Sequence, residues 1–382
     1  MLYSPMQYTD LFPQICSFEN LFLAYRKARK GKRGKESTAA FEYDQEKELL
    51  KLREELVAGT WQPGAYRSFY IHDPKRRLIS AAPFRDRVAH HALCNVIEPI
   101  WERRFVFDSY ANRKDKGTHK AILRCNEFSR RYRYVLQCDV EQFFPSIDHQ
   151  VLFGQLARLI DDPPALDLIR KILESGEGIQ AGEYQARWFE GDTIEAQGRP
   201  RGLPIGNLTS QFWANVYLNP FDHFVKRELR CPAYVRYVDD FLLFSDDLDE
   251  LQEWMRKVQA RQARLRLTLH EPQTYPVTNG IPFLGFCIYP EHRRLKKRRG
   301  IAFQRRFRHL FQQWAAGEIP AQRVEASVRS WKAHASWGDT TGLQKSVLKA
   351  NPCEGFAISQ PSFRSGQHLL PEFCQERNLR KD

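Results

Sequence analysis

Tyr237-Val238-Asp239-Asp240 lies inside an apolar run, with Tyr234-Val235 before it and Phe241-Leu242-Leu243-Phe244 after it. The run reads as a buried β-hairpin. Two adjacent carboxylates inside such a hairpin are costly to desolvate unless a positive partner sits between them, and a divalent metal ion serves both acids at once. The feature marks a site rather than a surface.

A third carboxylate obeys the same logic earlier in the chain. Tyr134-Val135-Leu136-Gln137-Cys138-Asp139-Val140 is a strand-like run ending in an acid, followed by Glu141-Gln142-Phe143-Phe144-Pro145-Ser146-Ile147-Asp148. If that strand lies beside the hairpin, Asp139, Asp239 and Asp240 converge at one strand end. Hard oxygen ligands suit Mg²⁺, which keeps water and phosphate oxygens in its coordination shell. Two such ions roughly 3.5–4 Å apart activate an attacking 3′-hydroxyl and stabilise leaving pyrophosphate. The expected reaction is nucleotide addition, with two Mg²⁺ ions, or Mn²⁺ in their place.

These motifs resemble the palm of prokaryotic reverse transcriptases, and further blocks of that family occur in order. They are Lys75-Arg76-Arg77-Leu78-Ile79 with Phe84-Arg85-Asp86-Arg87-Val88, then Ser109-Tyr110-Ala111-Asn112-Arg113 with Lys116-Gly117-Thr118-His119. Gly202-Leu203-Pro204-Ile205-Gly206-Asn207-Leu208-Thr209-Ser210-Gln211 follows, and Gly280-Ile281-Pro282-Phe283-Leu284-Gly285-Phe286 closes the series. The resemblance covers about residues 17 to 350. A lone pair of acids recurs by chance; a full ordered series of blocks does not.

Group II intron and viral relatives usually carry Gln before the glycine matched by Gly206, and Ser-Pro where this chain has Ser210-Gln211. Ile205 through Gln211 is similar instead to the reverse transcriptases of diversity-generating retroelements, as are Ser330-Trp331-Lys332-Ala333-His334-Ala335 and Asn20-Leu21-Phe22-Leu23-Ala24-Tyr25-Arg26-Lys27. In that group the missing Gln is associated with error-prone copying of template adenines, so low fidelity is implied by the resemblance. Some phage-defence reverse transcriptases, which make cDNA from their own noncoding RNA, share much of this palm and stay open as an alternative. A third reading, a noncatalytic RNA-binding scaffold, is disfavoured by the intact acids and Phe144.

The resemblance implies an α+β right-hand polymerase with fingers, an antiparallel-sheet palm and a helical thumb, acting as an RNA-directed DNA polymerase. The expected divisions are an N-terminal helical extension over 1–60, fingers over 61–133, palm over 134–290, thumb over 291–350 and a C-terminal tail over 351–382. Leu49, Leu50, Leu52 and Leu56 place one helical stripe in the extension, and Trp61-Gln62-Pro63-Gly64 ends it. A strand over Tyr66 to His72, helices over Arg85 to Ile97, after Asp148 and from near Leu208, and a loop or small hairpin over Ser175 to Arg199 complete the expectation. Implied partners are a cognate structured noncoding RNA template, deoxynucleoside triphosphates, the cDNA product, and a small basic helical accessory protein or a second polymerase subunit.

The same resemblance distributes roles. Asp139 and Asp239 are the principal metal ligands, with Asp240 the third acid and the backbone carbonyl of Val140 a further ligand. Tyr237 supports the primer terminus. Phe144 is the rigid wall under the sugar that excludes a ribose 2′-hydroxyl, or Phe143 takes that place if the strand slips by one. Lys75, Arg77 and Arg113 grip the triphosphate. Gly206 lets the backbone approach the nucleotide, with Ile205, Ser210 and Gln211 lining the same pocket. Where relatives place a Lys proposed to protonate pyrophosphate, this chain has Leu267-Thr268-Leu269-His270-Glu271-Pro272-Gln273-Thr274. His270 stays outside the expected catalytic set.

Composition agrees with these readings. A chain of 382 residues at 42% hydrophobic content can bury a sizeable core divided among subdomains. A net charge of +13 favours a polyanionic partner through counterion release. Basic residues cluster over Tyr25 to Lys35 and over Glu291 to His309, where Arg298, Arg299, Arg305 and Arg306 are expected nucleic-acid contacts. Phe303, Phe307, Phe311 and Trp314 recur beside them at helical spacing and read as core more than as stacking platforms. The cysteines are scattered singly without zinc spacing, as in a reduced, cytoplasmic protein. No apolar run approaches the about 18 residues of a membrane span. The tail is expected to pack on the thumb or on a partner.

Overall fold

β5 (Asp240–Ser245) carries four large apolar residues in a row, and each is buried because the sheet it belongs to is covered on both faces. Alternate side chains point to opposite faces of a strand. Phe241 therefore meets Phe221 of the helix Leu208–His223 at a ring distance of 4.9 Å, while Phe244 meets Phe128 of the helix Thr118–Arg131 at 5.6 Å. In this computed structural model, which describes residues 7–32, 34–72 and 75–349, the strands run in chain order as follows. β1 (Arg67–Ile71) and β2 (Arg77–Ala81) form an antiparallel hairpin. β3 (Tyr134–Asp139), β4 (Ala233–Tyr237), β5 and β6 (Gln273–Pro276) form an antiparallel sheet in the order β4-β5-β3-β6. β7 (Ile281–Phe283), β8 (Phe286–Ile288) and β9 (Arg293–Leu295) form a third sheet.

The helix Phe84–Glu102 is the central support of the first unit, which runs to Arg294. Val88, Ala89, Ala92, Leu93 and Ile97 are wholly buried along it, against the helix Phe18–Ala28 on one side and Leu208–His223 on the other. Ser17 starts Phe18–Ala28 by accepting the Asn20 N–H, and Asp148 starts His149–Ala157 by accepting the Val151 N–H. The expected single helix through Leu56 is broken at Asp44 into Glu36–Tyr43 and Gln45–Val57. Leu49, Leu52 and Leu56 are buried there, but Leu50 is 41% exposed and leaves the stripe. Between Ser175 and Arg199 the chain makes a tight turn at Ala181–Glu183 and a one-turn helix at Ile194–Gln197, with no strand.

The second unit begins at Leu295. It holds the helices Lys297–Ala315, Ala321–Ala335 and Thr341–Lys349. Its core is aromatic: Phe303 stacks on Trp331 at 4.2 Å with nearly parallel planes, and Phe307 packs beside it. The expected tail lies outside the described residues. Among the described residues the cysteines are free thiols, and no helix is long and apolar enough to cross a membrane.

Candidate active site

The antiparallel register pairs Asp139 of β3 directly with Asp240 of β5, and Tyr237 of β4 with the same Asp240. Only Val238 and Asp239 remain between the paired residues of the β4–β5 hairpin, so all three acids collect at one end of the sheet. The Val140 N–H donates to the Asp239 carbonyl at 3.3 Å and joins the two acid-bearing segments. Val238 has φ +61°, at the first position of a two-residue turn, where Gly is the ordinary occupant. A β-branched residue there is strained by about 1–3 kcal/mol and persists only where its surroundings hold it. The Tyr237 hydroxyl lies 2.8 Å from Thr118 Oγ1 at the start of the helix Thr118–Arg131.

Crowded acids at a partly buried strand end resist ionisation. Burial, followed by the neighbouring Asp139 charge, pushes the Asp239 carboxyl up to about 6. Asp139, whose side chain is 46% exposed, is also raised by burial, against the opposing pull of His270, Lys75 and Arg77. The His270 N–H donates to the Asp139 carbonyl at 2.9 Å, and its ring lies 4.0 Å from the Asp139 carboxylate and 3.7 Å from that of Glu141. Among the described residues no three acidic, His or Cys side chains close round an ion by themselves. An open set of hard carboxylate oxygens fits Mg²⁺ nonetheless, since that ion takes one or two carboxylates and completes its shell with water and substrate phosphate.

Lys75 and Arg77 are exposed on the β1–β2 hairpin, with their charge felt at Asp139 and that of Arg77 also at Asp239. β2 is hooked onto the segment that follows Gly202, because the Ser80 N–H donates to the Ile205 carbonyl at 2.8 Å. Gly206 has φ +124°, and a Cβ there would lie 3.2 Å from Ile79 Cγ2 and 3.4 Å from the Ser80 carbonyl oxygen. The glycine thus answers to the close approach of β2, a reason distinct from the approach of a nucleotide. Ile205 is half-buried and Gln211 exposed.

Two expected pocket residues are turned elsewhere. Ser210 is buried and donates to the Pro204 carbonyl at 2.7 Å, closing the turn into Leu208–His223. Arg113, expected at the triphosphate, has a side chain only 5% exposed, forked onto Glu102 at 2.7 and 2.9 Å and bonded to the carbonyls of Val106 and Ser109. Phe143 is 2% exposed in the core, while Phe144 is half-buried with its carbonyl accepting the Leu203 N–H at 2.9 Å. Both rings lie on the short helix Phe143–Ser146, just beyond the end of β3, with Phe144 the more exposed of the two. Arg298, Arg299, Arg305 and Arg306 are exposed on the helix Lys297–Ala315, with Phe303 and Phe307 turned into the core of their own unit.

The surroundings contain two features that the motifs do not mark. The segment 175–199 borders the acids, as Arg187 pairs with Glu141 at 2.8 Å and the Gln185 N–H donates to Gln142 Oε1 at 2.9 Å. It also reaches the β1–β2 hairpin, where Tyr70 donates to Glu183 at 3.1 Å. The other feature is Arg236, a fully buried charge in β4 two residues before the turn. An arginine inside an apolar strand invites the same desolvation argument as the acids, and that was the available signal.

The sequence pattern of the family described as "Reverse transcriptase (RNA-dependent DNA polymerase)" matches residues 72–288, more than half of the chain. Protein YkfC of Escherichia coli (strain K12) is 28% identical over 295 residues, covering 66% of this chain and 72% of that protein. The group II intron-encoded protein LtrA of Lactococcus lactis subsp. cremoris is 24% identical over 245 residues, covering 61% of this chain but only 39% of LtrA. A structure of apo telomerase from Candida tropicalis, truncated from its C-terminal domain, superposes with a TM-score of 0.43 and 11% identity over 61% of this chain and 55% of that one.

Proposed function

The chain belongs to the reverse transcriptase family of RNA-dependent DNA polymerases, and from that premise we propose that it copies a cognate structured noncoding RNA into cDNA with low fidelity, using Asp139, Asp239 and Asp240 to hold two Mg²⁺ ions. The observation that carries this reading is the direct pairing of Asp139 with Asp240, with Asp239 in the turn between β4 and β5. Held there by Asp139, Asp239 and Asp240, the ions would supply activation of the 3′-hydroxyl and charge stabilisation for the leaving pyrophosphate. In this reading the Val140 carbonyl would be a further oxygen ligand.

The remaining roles belong to the chain's own side chains. Lys75 and Arg77, exposed on a hairpin tied to the Ile205 segment, orient the triphosphate and offset its charge. Phe144 excludes the 2′-hydroxyl of a ribonucleotide by clash. Tyr237, anchored at its hydroxyl by Thr118, supports the primer terminus. Ile205 stands where many relatives have Gln and gives the incoming base an apolar edge without a hydrogen-bonding amide. That substitution supports the error-prone reading and kinship with the diversity-generating type. The exposed arginines of Lys297–Ala315 contact the nucleic-acid backbone. A small basic helical protein or a second polymerase subunit is the accessory partner this reading would add.

The test is to express the chain with its native flanking locus, recover bound nucleic acid, and sequence RNA and cDNA beside an Asp239→Asn, Asp240→Asn control. A cognate RNA with cDNA substituted at template adenines is the expected result. Faithful or repetitive cDNA made on phage infection replaces the diversification role with defence. Bound RNA with no cDNA dependent on the two aspartates removes the polymerase reading and leaves a scaffold.

A further inference from the structure

The guanidinium of Arg236 is saturated. Nε donates to Asp222 Oδ1 at 2.7 Å, Nη2 to Asp222 Oδ2 at 2.6 Å and to Ser109 Oγ at 3.0 Å, and Nη1 to Asn215 Oδ1 at 3.2 Å and to the Val238 carbonyl at 2.9 Å. An arginine has five N–H donors in a fixed fork, and each has an acceptor here. Asp222 is equally buried and takes a further bond from the Tyr234 hydroxyl at 2.7 Å. The Arg236 backbone is clamped as well, its N–H donating to the Asp108 carbonyl and its carbonyl accepting the Tyr110 N–H, both at 2.9 Å.

Direction gives this cluster its meaning. Four donors tie Arg236 to Asp222 and Asn215 on the helix Leu208–His223 and to Ser109, while the fifth ends on the turn that carries Asp239. Strand alternation puts Arg236 on the face opposite Tyr237 and Asp240, so the turn is braced from behind the acids. The bonded carbonyl belongs to Val238, the strained residue, and the peptide it starts leads directly into Asp239. A buried ion pair is weak evidence of a stability role, because well-packed apolar residues often do as well or better. Apolar residues cannot hold a carbonyl in a fixed direction.

We propose that Arg236 is a positioning residue, anchored by Asp222, that holds the Val238–Asp239 peptide in the orientation that aims the Asp239 carboxylate at the catalytic metal ions. This rests on the reading of Asp139, Asp239 and Asp240 as metal ligands. Lysine has three donors on one rotatable nitrogen and cannot hold the fork and the turn together.

The experiment measures primer extension against Mg²⁺ concentration for the wild type, Arg236→Lys and Tyr234→Phe, with thermal unfolding of each. Arg236→Lys is expected to raise the half-saturating Mg²⁺ concentration about tenfold or more, in line with the effect of removing a group that orients a metal ligand. Tyr234→Phe removes one bond to Asp222 but leaves the fork, so it lowers the unfolding temperature and leaves the Mg²⁺ dependence unchanged. Wild-type Mg²⁺ dependence in Arg236→Lys, whatever its stability, overturns the proposal and makes the cluster structural. If Arg236→Lys does not fold, Asp222→Asn, which breaks the charged fork that anchors the guanidinium, must move the Mg²⁺ dependence the same way, and no movement there is equally fatal. Asp239→Asn separates the two layers: extension by that variant at wild-type rate defeats the metal-ligand reading itself.

Discussion

Asp139 and Asp240 are direct partners in the β3–β5 ladder, two carboxylates set opposite each other where a sheet normally avoids like charges. Such a pair destabilises an antiparallel sheet by about 0.2–1 kcal/mol. Asp240→Asn is therefore expected to stabilise the metal-free protein by about that amount while abolishing primer extension. Thermal unfolding with and without Mg²⁺ checks both sides: Mg²⁺ raises the wild-type transition by mass action and loses most of that effect in the variant.

The Asp239 carboxyl gives a pH dependence with a definite sign. Its folded-state value is raised from 3.8 to about 6, by burial first and the Asp139 charge second, so between those values the folded state holds a proton that the unfolded state has released. The contribution of this group to stability is thus fully present below about pH 4 and is lost as pH rises through about 6. Denaturant titrations of metal-free wild type and Asp239→Asn from pH 4 to pH 7 should show the variant gaining relative stability over that window. A difference that stays constant with pH removes the perturbed carboxyl.

Three basic residues grouped by motif are expected to divide in two. Lys75→Ala and Arg77→Ala should raise the KM for deoxynucleoside triphosphates about tenfold with little change in unfolding temperature, as loss of exposed cations that act on a bound phosphate does. Arg113→Ala should cost about 3 kcal/mol of stability by leaving Glu102 and two carbonyls without their donor. Its KM, measured on the folded fraction, should stay unchanged.

Phe143 and Phe144 separate in the same way. Phe144→Ala should admit ribonucleotides about 10- to 100-fold better relative to deoxynucleotides, because the discrimination it provides is steric. Phe143→Ala should instead cost about 3–5 kcal/mol as a core truncation, with the sugar preference intact. Competition between labelled ATP and dATP on one primer-template measures the first, and thermal unfolding the second.

The acids were legible because the argument for them is local: a charge inside an apolar strand needs a partner, and period-two patterning identifies the strands. Arg236 satisfies the same test, yet it sits beside the more conspicuous Asp239-Asp240 and its partners Asp222, Asn215 and Ser109 come from distant parts of the chain. The motifs that hold Ser210 and Arg113 do not say which way their side chains point, and each is held by hydrogen bonds the motif does not encode. The break at Asp44 interrupts a leucine stripe whose spacing alone permits one helix. The role of 175–199 beside Glu141 depends on long-range pairs such as Arg187–Glu141 and Arg266–Asp192, which local composition cannot show.

The two-residue turn also sets a rule for what this chain tolerates over time. Tyr237 and Asp240 are paired, and every residue of β5 through Phe244 takes its partner on β4 from that pairing. Because side chains alternate strictly, one residue added or lost between Arg236 and Asp240 would turn β5 over, carrying Asp240 away from Asp139 and exchanging the faces of Phe241 and Phe244. Substitutions at Val238 can accumulate as long as the left-handed backbone survives, and glycine would adopt it more readily than valine does. Changes of length cannot. Among descendants of this sequence the spacing from Arg236 to Asp240 is therefore expected to outlast the identity of the residue at the turn.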